Sequence, residues 1–172
     1  ATQAERSATA AEENAHLART ALHISERAYV DITASLLSGI EAGKRLQAKV
    51  EFKNAGRSPA FDVQARSGVG MMERAFTDDE AIMVIGAGPK ARGIRSRLSL
   101  GPGSKVEQRA GGEGELTKEI AEQIEEGGAK VYVVSFVSYQ DIFRHIHHIS
   151  YCGVFNPQTH TLDICESGNK AD

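Results

Sequence analysis

Apolar and polar positions alternate along most of this chain, and the alternation gives way to a helical period at its start and again after residue 115. The cleanest alternation lies at residues 46–53. There Leu46, Ala48, Val50 and Phe52 fall on one side and Gln47, Lys49, Glu51 and Lys53 on the other, as in a strand with one wet face. Residues 27–37 read as the strand before it, with Ser38-Gly39 and Gly43-Lys44 bounding the connection. Residues 54–59 read as a turn, and residues 60–65 return with Phe61 and Val63 toward the interior, which predicts a second hairpin.

The densest apolar stretch predicts three consecutive antiparallel strands, at residues 131–139, 145–155 and 161–165, each rich in β-branched and aromatic side chains. If residues 157–160 form the last loop, the locked φ of Pro157 suits a type I turn and Asn156 faces Thr161. Stepping back in pairs sets Cys152 opposite Cys165. Opposed strand residues hold their Cα atoms about 4.5 to 5.5 Å apart, within the span of a disulfide. One staple is therefore expected, with a pair of reduced thiols as the alternative.

Residues 1–28 contain neither Gly nor Pro and predict a helix. Ala4, Ala8, Ala11, Ala15, Ala18 and Leu22 keep one shallow seam in line, compatible with a solvated stalk, a self-association seam or a brace. Leu17, Ala21, Ile24 and Ala28 form a second stripe, better suited to docking on the domain. Residues 116–127 predict the only other clear helix, capped by Thr117, with Glu119 in its first turn, Ile120 and Ile124 on its apolar stripe, and Gly127 or Gly128 at its end. Between these, Gly68, Gly70 and the acidic residues 77–80 read as irregular chain, residues 81–85 as a short apolar run, residues 100–104 as a turn and Val106 as the lead of a brief strand. Lys90, Arg92, Arg95 and Arg97 form a basic run that reads as a solvated strand face, or as an anion or acidic-partner site.

Composition narrows the setting. In 172 residues with a formal net charge of -3 there is no case for a dedicated nucleic-acid binder, and 17 glycines among short apolar runs suit the turns of a β domain. A disulfide favours an oxidising compartment. No apolar run is long enough to span a bilayer, and a chain that starts on Ala leaves open a removed leader or an anchor upstream.

Candidate chemistry is sparse. Val84-Ile-Gly-Ala-Gly-Pro-Lys-Ala91 copies the start of a dinucleotide fingerprint, but Gly93 and Gly101-Pro-Gly103 interrupt the helix it would have to open, so a loop is expected and no cofactor. On a strand His145 and His147 would share a face while His148 points away. A metal site would need a further ligand from His160, Asp141 or Asp163, and half-exposed strand histidines are the expectation. No nucleophile elbow, zinc-protease helix, phosphate loop or Cys-x-x-Cys occurs, which points away from an enzyme.

Residues 50–63 and 98–106 resemble the strand-turn-strand and proline-glycine turn of bacterial immunoglobulin-like adhesion and accessory domains. More closely, Arg27-Ala-Tyr-Val30, Asn54-x-Gly56-x-x-Pro59-Ala60, the helix after Leu116-Thr117, Tyr139-x-Asp141-x-Phe143, Tyr151-Cys152 and Asn156-Pro157 are similar to a group of uncharacterised proteobacterial membrane-anchored proteins. The chain departs from that group at Arg144 and His160, where glycine is frequent. The resemblance implies a transmembrane segment, a juxtamembrane helix and an immunoglobulin-like antiparallel β-sandwich in succession, with no catalytic residues. The expected organisation is a helix over residues 1–28, a sandwich of about seven to nine strands over 29–166 and a polar, frayed tail over 167–172. The expected function is non-enzymatic: an envelope domain, tethered through a segment absent from this chain, that contacts another protein through loops or a sheet face. The alternative is a metal or small-ligand module on the strand of His145 and His147.

Overall fold

A computed structural model describes residues 2–36, 40–73, 77–87, 92–112 and 114–171; within these, the side chains of residues 86, 87 and 92–97 fall outside the description. The elements in chain order are α1 (Gln3–Glu26), β1 (Val30–Leu36), β2 (Gln47–Asn54), β3 (Ala60–Glu73), α2 (Asp78–Ala87), β4 (Arg92–Leu100), β5 (Lys105–Gly111), α3 (Lys118–Glu125), β6 (Ala129–Gln140), β7 (Ile146–Asn156), β8 (Thr161–Ile164) and β9 (Lys170–Ala171). The protein is mainly β. All strand pairs are antiparallel, in a three-stranded sheet ordered β1-β2-β5 and a six-stranded sheet ordered β4-β3-β6-β7-β8, with β9 also on β7.

Alternation decides what each sheet buries. Leu46, Ala48, Val50 and Phe52 are all under 10% exposed, and they share one core with Val63, Val131, Val133, Val137 and Tyr139 of the other sheet. The polar side of β2 carries ion pairs to β5: Lys49 to Glu107 at 3.2 Å and Lys105 to Glu51 at 2.7 Å. The Lys105 hydrogen bond holds the Glu51 carboxyl below the usual carboxylate range. That face is a solvated ion-pair lattice, worth little in stability but costly to cover.

The predicted hairpin at residues 54–59 does not form, because β2 and β3 belong to different sheets. Asn54 explains the crossing. Its buried side chain accepts from the backbone N–H of Tyr29 and Gly56 and donates to the carbonyls of Ser58 (2.8 Å) and Leu100 (2.9 Å). Its backbone bonds Gly103 and Ser104, so one residue fastens both the β2–β3 and the β4–β5 crossings. Gly56 passes so close to residues 27–29 that a Cβ there would lie 2.5 Å from the Tyr29 nitrogen. Phe61 also differs from expectation. The register of β3 slips on both sides of Asp62, which takes a φ of 48°, so Ala60 and Val63 are buried while Phe61 is 38% exposed.

Gly68 and Gly70 lie inside β3 rather than in irregular chain, and residues 78–87 are a helix that the sequence reading missed. Thr77 opens α2 with a capping box: its backbone N–H donates to Glu80 at 2.8 Å, and the Glu80 N–H returns to its hydroxyl at 3.3 Å. The helix seats Ile85 over the two glycines. A Cβ on Gly68 would lie 2.8 Å from Ile85 Cγ2 and 2.9 Å from its carbonyl oxygen. Beneath α2 lies a second apolar cluster of Ala81, Tyr132, Val134, Cys152 and Cys165.

The last third follows its expected register. Asn156 pairs with Thr161, and Cys152 and Cys165 are bonded with Cα atoms 5.4 Å apart. α3 is capped by Thr117, buries Ala121 and Ile124, and ends before Gly127 at a φ of 74°. Residues after Cys165 are tied down, not frayed: Asn169 accepts from the Cys152 N–H and donates to the carbonyls of Cys152 and Cys165, and β9 pairs with β7. α1 buries no residue along its length, and Leu17 and Ile24 of the stripe expected to dock are 64% and 58% exposed. Among the described residues no helix is long and apolar enough to cross a membrane.

Candidate functional site

Two places in this frame gather unusual side chains. The first is the β6–β7 turn at the foot of α1. Asp141 is 2% exposed and organises the turn: one carboxylate oxygen accepts from the backbone N–H of Phe143 (2.8 Å) and His145 (2.9 Å). Its second oxygen lies 2.9 Å from Nε2 of His147 and 3.8 Å from Nδ1 of His145. Burial alone would raise the Asp141 pKa, but the His147 contact and the two backbone donors outweigh it and leave the carboxyl below its ordinary value. His147 is 7% exposed and stacks on Tyr139 with ring centroids 5.1 Å apart, and the Tyr139 hydroxyl donates to the Ala28 carbonyl. From α1, His23 stacks on Phe143 at 4.0 Å and meets His145 edge-on at 5.5 Å. The carboxylate thus shapes a turn and holds a buried imidazole where α1 meets the domain.

This geometry divides the histidines that the sequence put together. His147 is buried on β7, so the half-exposed strand pair is not what forms, and His145 lies before the strand in the turn. His160 is remote, in the β7–β8 loop beside Phe155 at 6.0 Å, and Asp163 on β8 receives the Asn156 side chain at 2.7 Å. Among the described residues no three His, Cys, Asp or Glu side chains are grouped to hold a metal. Lys90 lies outside the described residues, and Arg92, Arg95 and Arg97 take positions on β4, the edge strand of the larger sheet, with their side chains outside the description. Val84 and Ile85 belong to α2, so the apolar run before Gly86 is not the strand a dinucleotide fingerprint needs.

The second place is the outer face of the six-stranded sheet, away from the shared core. Cross-strand register sets its rows: Phe61, Gln140 and Ile146; Gln64, Ser138 and His148; Arg66, Phe136 and Ser150; then Gly68, Val134 and Cys152. α2 and the C-terminal segment cover the glycine end, where Tyr132 donates to Asp78 at 3.0 Å and burial lifts its phenol pKa to about 12. The other end is uncovered, with Phe61 at 38% and Ile146 at 63% exposure, and neighbouring Ile142 of the turn at 43%. Arg66 marks the boundary, its guanidinium 5.5 Å from the Phe136 ring. Sequence reasoning missed this surface because it depends on which half of the sheet α2 occupies. Comparison with protein-family models, with curated proteins and with solved structures finds no match to this chain.

Proposed function

We propose that the chain is a non-enzymatic, immunoglobulin-like binding domain of the cell envelope, tethered by a transmembrane segment preceding α1, and that it binds another protein molecule through the uncovered half of the six-stranded sheet. The strand order supports the fold reading. Lettered in chain order, β1, β2 and β5 stand as A, B and E, and β4, β3, β6 and β7 as C′, C, F and G, the two-sheet division of this architecture with C′ beside C. The disulfide fits an extracytoplasmic setting.

One observation carries the binding reading, the contrast between the two outer faces. The smaller sheet presents paired charges that any partner would have to desolvate, whereas the larger presents Phe61 and Ile146 among Gln64, Ser138, Gln140 and His148, with Asp62 and Arg66 beside them. Exposed apolar anchors set mainly among polar side chains suit a protein partner better than an ion or a metabolite. The Asp141–His147 pair supports no catalytic reading, because its carboxylate oxygens serve the turn and the imidazole. To test this, a photo-crosslinking residue is placed at Ile146 in cells making the full-length protein, with Lys49 of the opposite face as control. The expected result is one discrete protein adduct at Ile146 and none at Lys49. Absence of an adduct at Ile146, or equal labelling at both, overturns the reading.

A further inference from the structure

Three imidazoles meet around a single carboxylate at the joint between α1 and the domain. α1 buries no residue over its 24 residues, and His23 is the ring it sets against the domain, stacked on Phe143 at 4.0 Å and edge-on to His145 at 5.5 Å. Nδ1 of His145 is 3.8 Å from Oδ2 of Asp141, and the same oxygen is 2.9 Å from Nε2 of His147. Tyr139 stacks on His147 and donates to the carbonyl of Ala28, two residues past the end of α1. One turn and its neighbours therefore hold the chain on both sides of the helix end.

Neutral imidazoles suit this joint, and several imidazolium ions do not. Burial alone would raise the Asp141 pKa, but His147 and two backbone donors hold the carboxyl below its ordinary range, so it keeps its charge as the pH falls. That charge balances one proton added to His145 or His147. Protonating His23 as well sets like charges on rings 5.5 Å apart. The other charged groups at the joint do not offset them: Glu26, one turn from His23 on α1, is already 3.8 Å from Arg57, and Arg19, Arg27 and Arg144 are positive. A charged His23 gains a cation–π attraction to Phe143, but at a half-exposed site that gain is smaller than the repulsion between two charges at this separation.

We infer that the joint is a pH-sensitive hinge: α1 is docked on the turn while the imidazoles are neutral and swings free once His23 and His145 are both charged. The hinge goes beyond the binding reading and does not depend on it, because no partner takes part.

The test uses the full chain with its disulfide intact. Spin labels are carried on non-canonical residues at Ala11 of α1 and Gln47 of β2, both exposed. The distance between them is measured by pulsed electron resonance at about pH 8 and about pH 5, the interval in which imidazoles ordinarily gain their charge. The parent is expected to give one narrow distribution at the higher pH and a broad one at the lower, with the ratio of docked to released chains falling at least about tenfold. His23→Phe keeps the stack without a titrating ring, and His145→Gln removes the second charge; each is expected to stay narrow at both pH values. A parent with the same distribution at both overturns the hinge, and so do variants that respond as the parent does. If His23→Phe is released already at the higher pH, His145→Gln alone decides. Circular dichroism follows the helix and sheet signals, and their loss in the parent at the lower pH also overturns the hinge, since the movement would then be unfolding.

Discussion

Arg144 and His160 hold φ at 67° and 52°, the left-handed region in which a Cβ costs about 1–2 kcal/mol. Neither side chain repays that strain through a strong contact: Gln140 bonds only the Arg144 carbonyl, and His160 has a tilted approach to Phe155 at 6.0 Å. Glycine removes the strain and loses part of the gain to unfolded-chain entropy. Arg144→Gly is expected to stabilise the protein by about 0.5–1 kcal/mol in urea unfolding, with His160→Gly gaining somewhat less because it gives up the Phe155 contact. A destabilised Arg144→Gly would mean that its side chain does more than occupy a turn. In the sequence these two positions stand out only through the resemblance, as places where the resembled group frequently has glycine. Asp141 was legible as a possible ligand and as part of Tyr139-x-Asp141-x-Phe143, but not as the organiser of the turn, since that role depends on the direction of the backbone N–H groups of Phe143 and His145.

At the level of elements, β3 and α2 fit through two missing side chains. Gly68 faces both the side chain and the carbonyl oxygen of Ile85, at 2.8 and 2.9 Å from a hypothetical Cβ, whereas Gly70 faces only the side chain, at 3.0 Å. Gly68→Ala should therefore cost about 1–3 kcal/mol and Gly70→Ala less. Adding Ile85→Ala should relieve Gly70→Ala but not Gly68→Ala, whose backbone clash persists. Denaturant titration of the four variants checks the order, and equal rescue of both would refute the assigned contacts. The same glycines misled the sequence reading, which took them as strand breakers although Thr77-x-x-Glu80 spelled out a helix start. The crossings at residues 54–59 and 100–104 were read as simple turns for a related reason. What directs the chain into the other sheet is Asn54 reaching Leu100 and Tyr29, partners distant in sequence. The β7–β8 register, by contrast, follows from a short loop and the alternation on either side of it.

Taken whole, the molecule has two apolar layers of unequal size. The larger lies between the sheets; the smaller lies outside the six-stranded sheet under α2 and holds the disulfide. Asp78 links this outer layer to the C-terminal segment by accepting from Tyr132 and from the Glu166 N–H, and Ser167 donates to Asp79 at 3.0 Å. Replacing both cysteines by serine should cost about 2–4 kcal/mol. The loss should be local: hydrogen exchange is expected to quicken in α2, β8 and β9 while β2 and β5 keep their protection. A uniform rise across both sheets would show that the layers are not separable.

Because sulfur joins residues 152 and 165, the strip of chain between them belongs to a covalent ring. A protease cutting at the tip, between Pro157 and His160, would leave one connected molecule whose severed ends stay on the same scaffold. That tip is accordingly the position where a foreign peptide could be grafted, or a break introduced, without parting the terminal segment from the body it clamps.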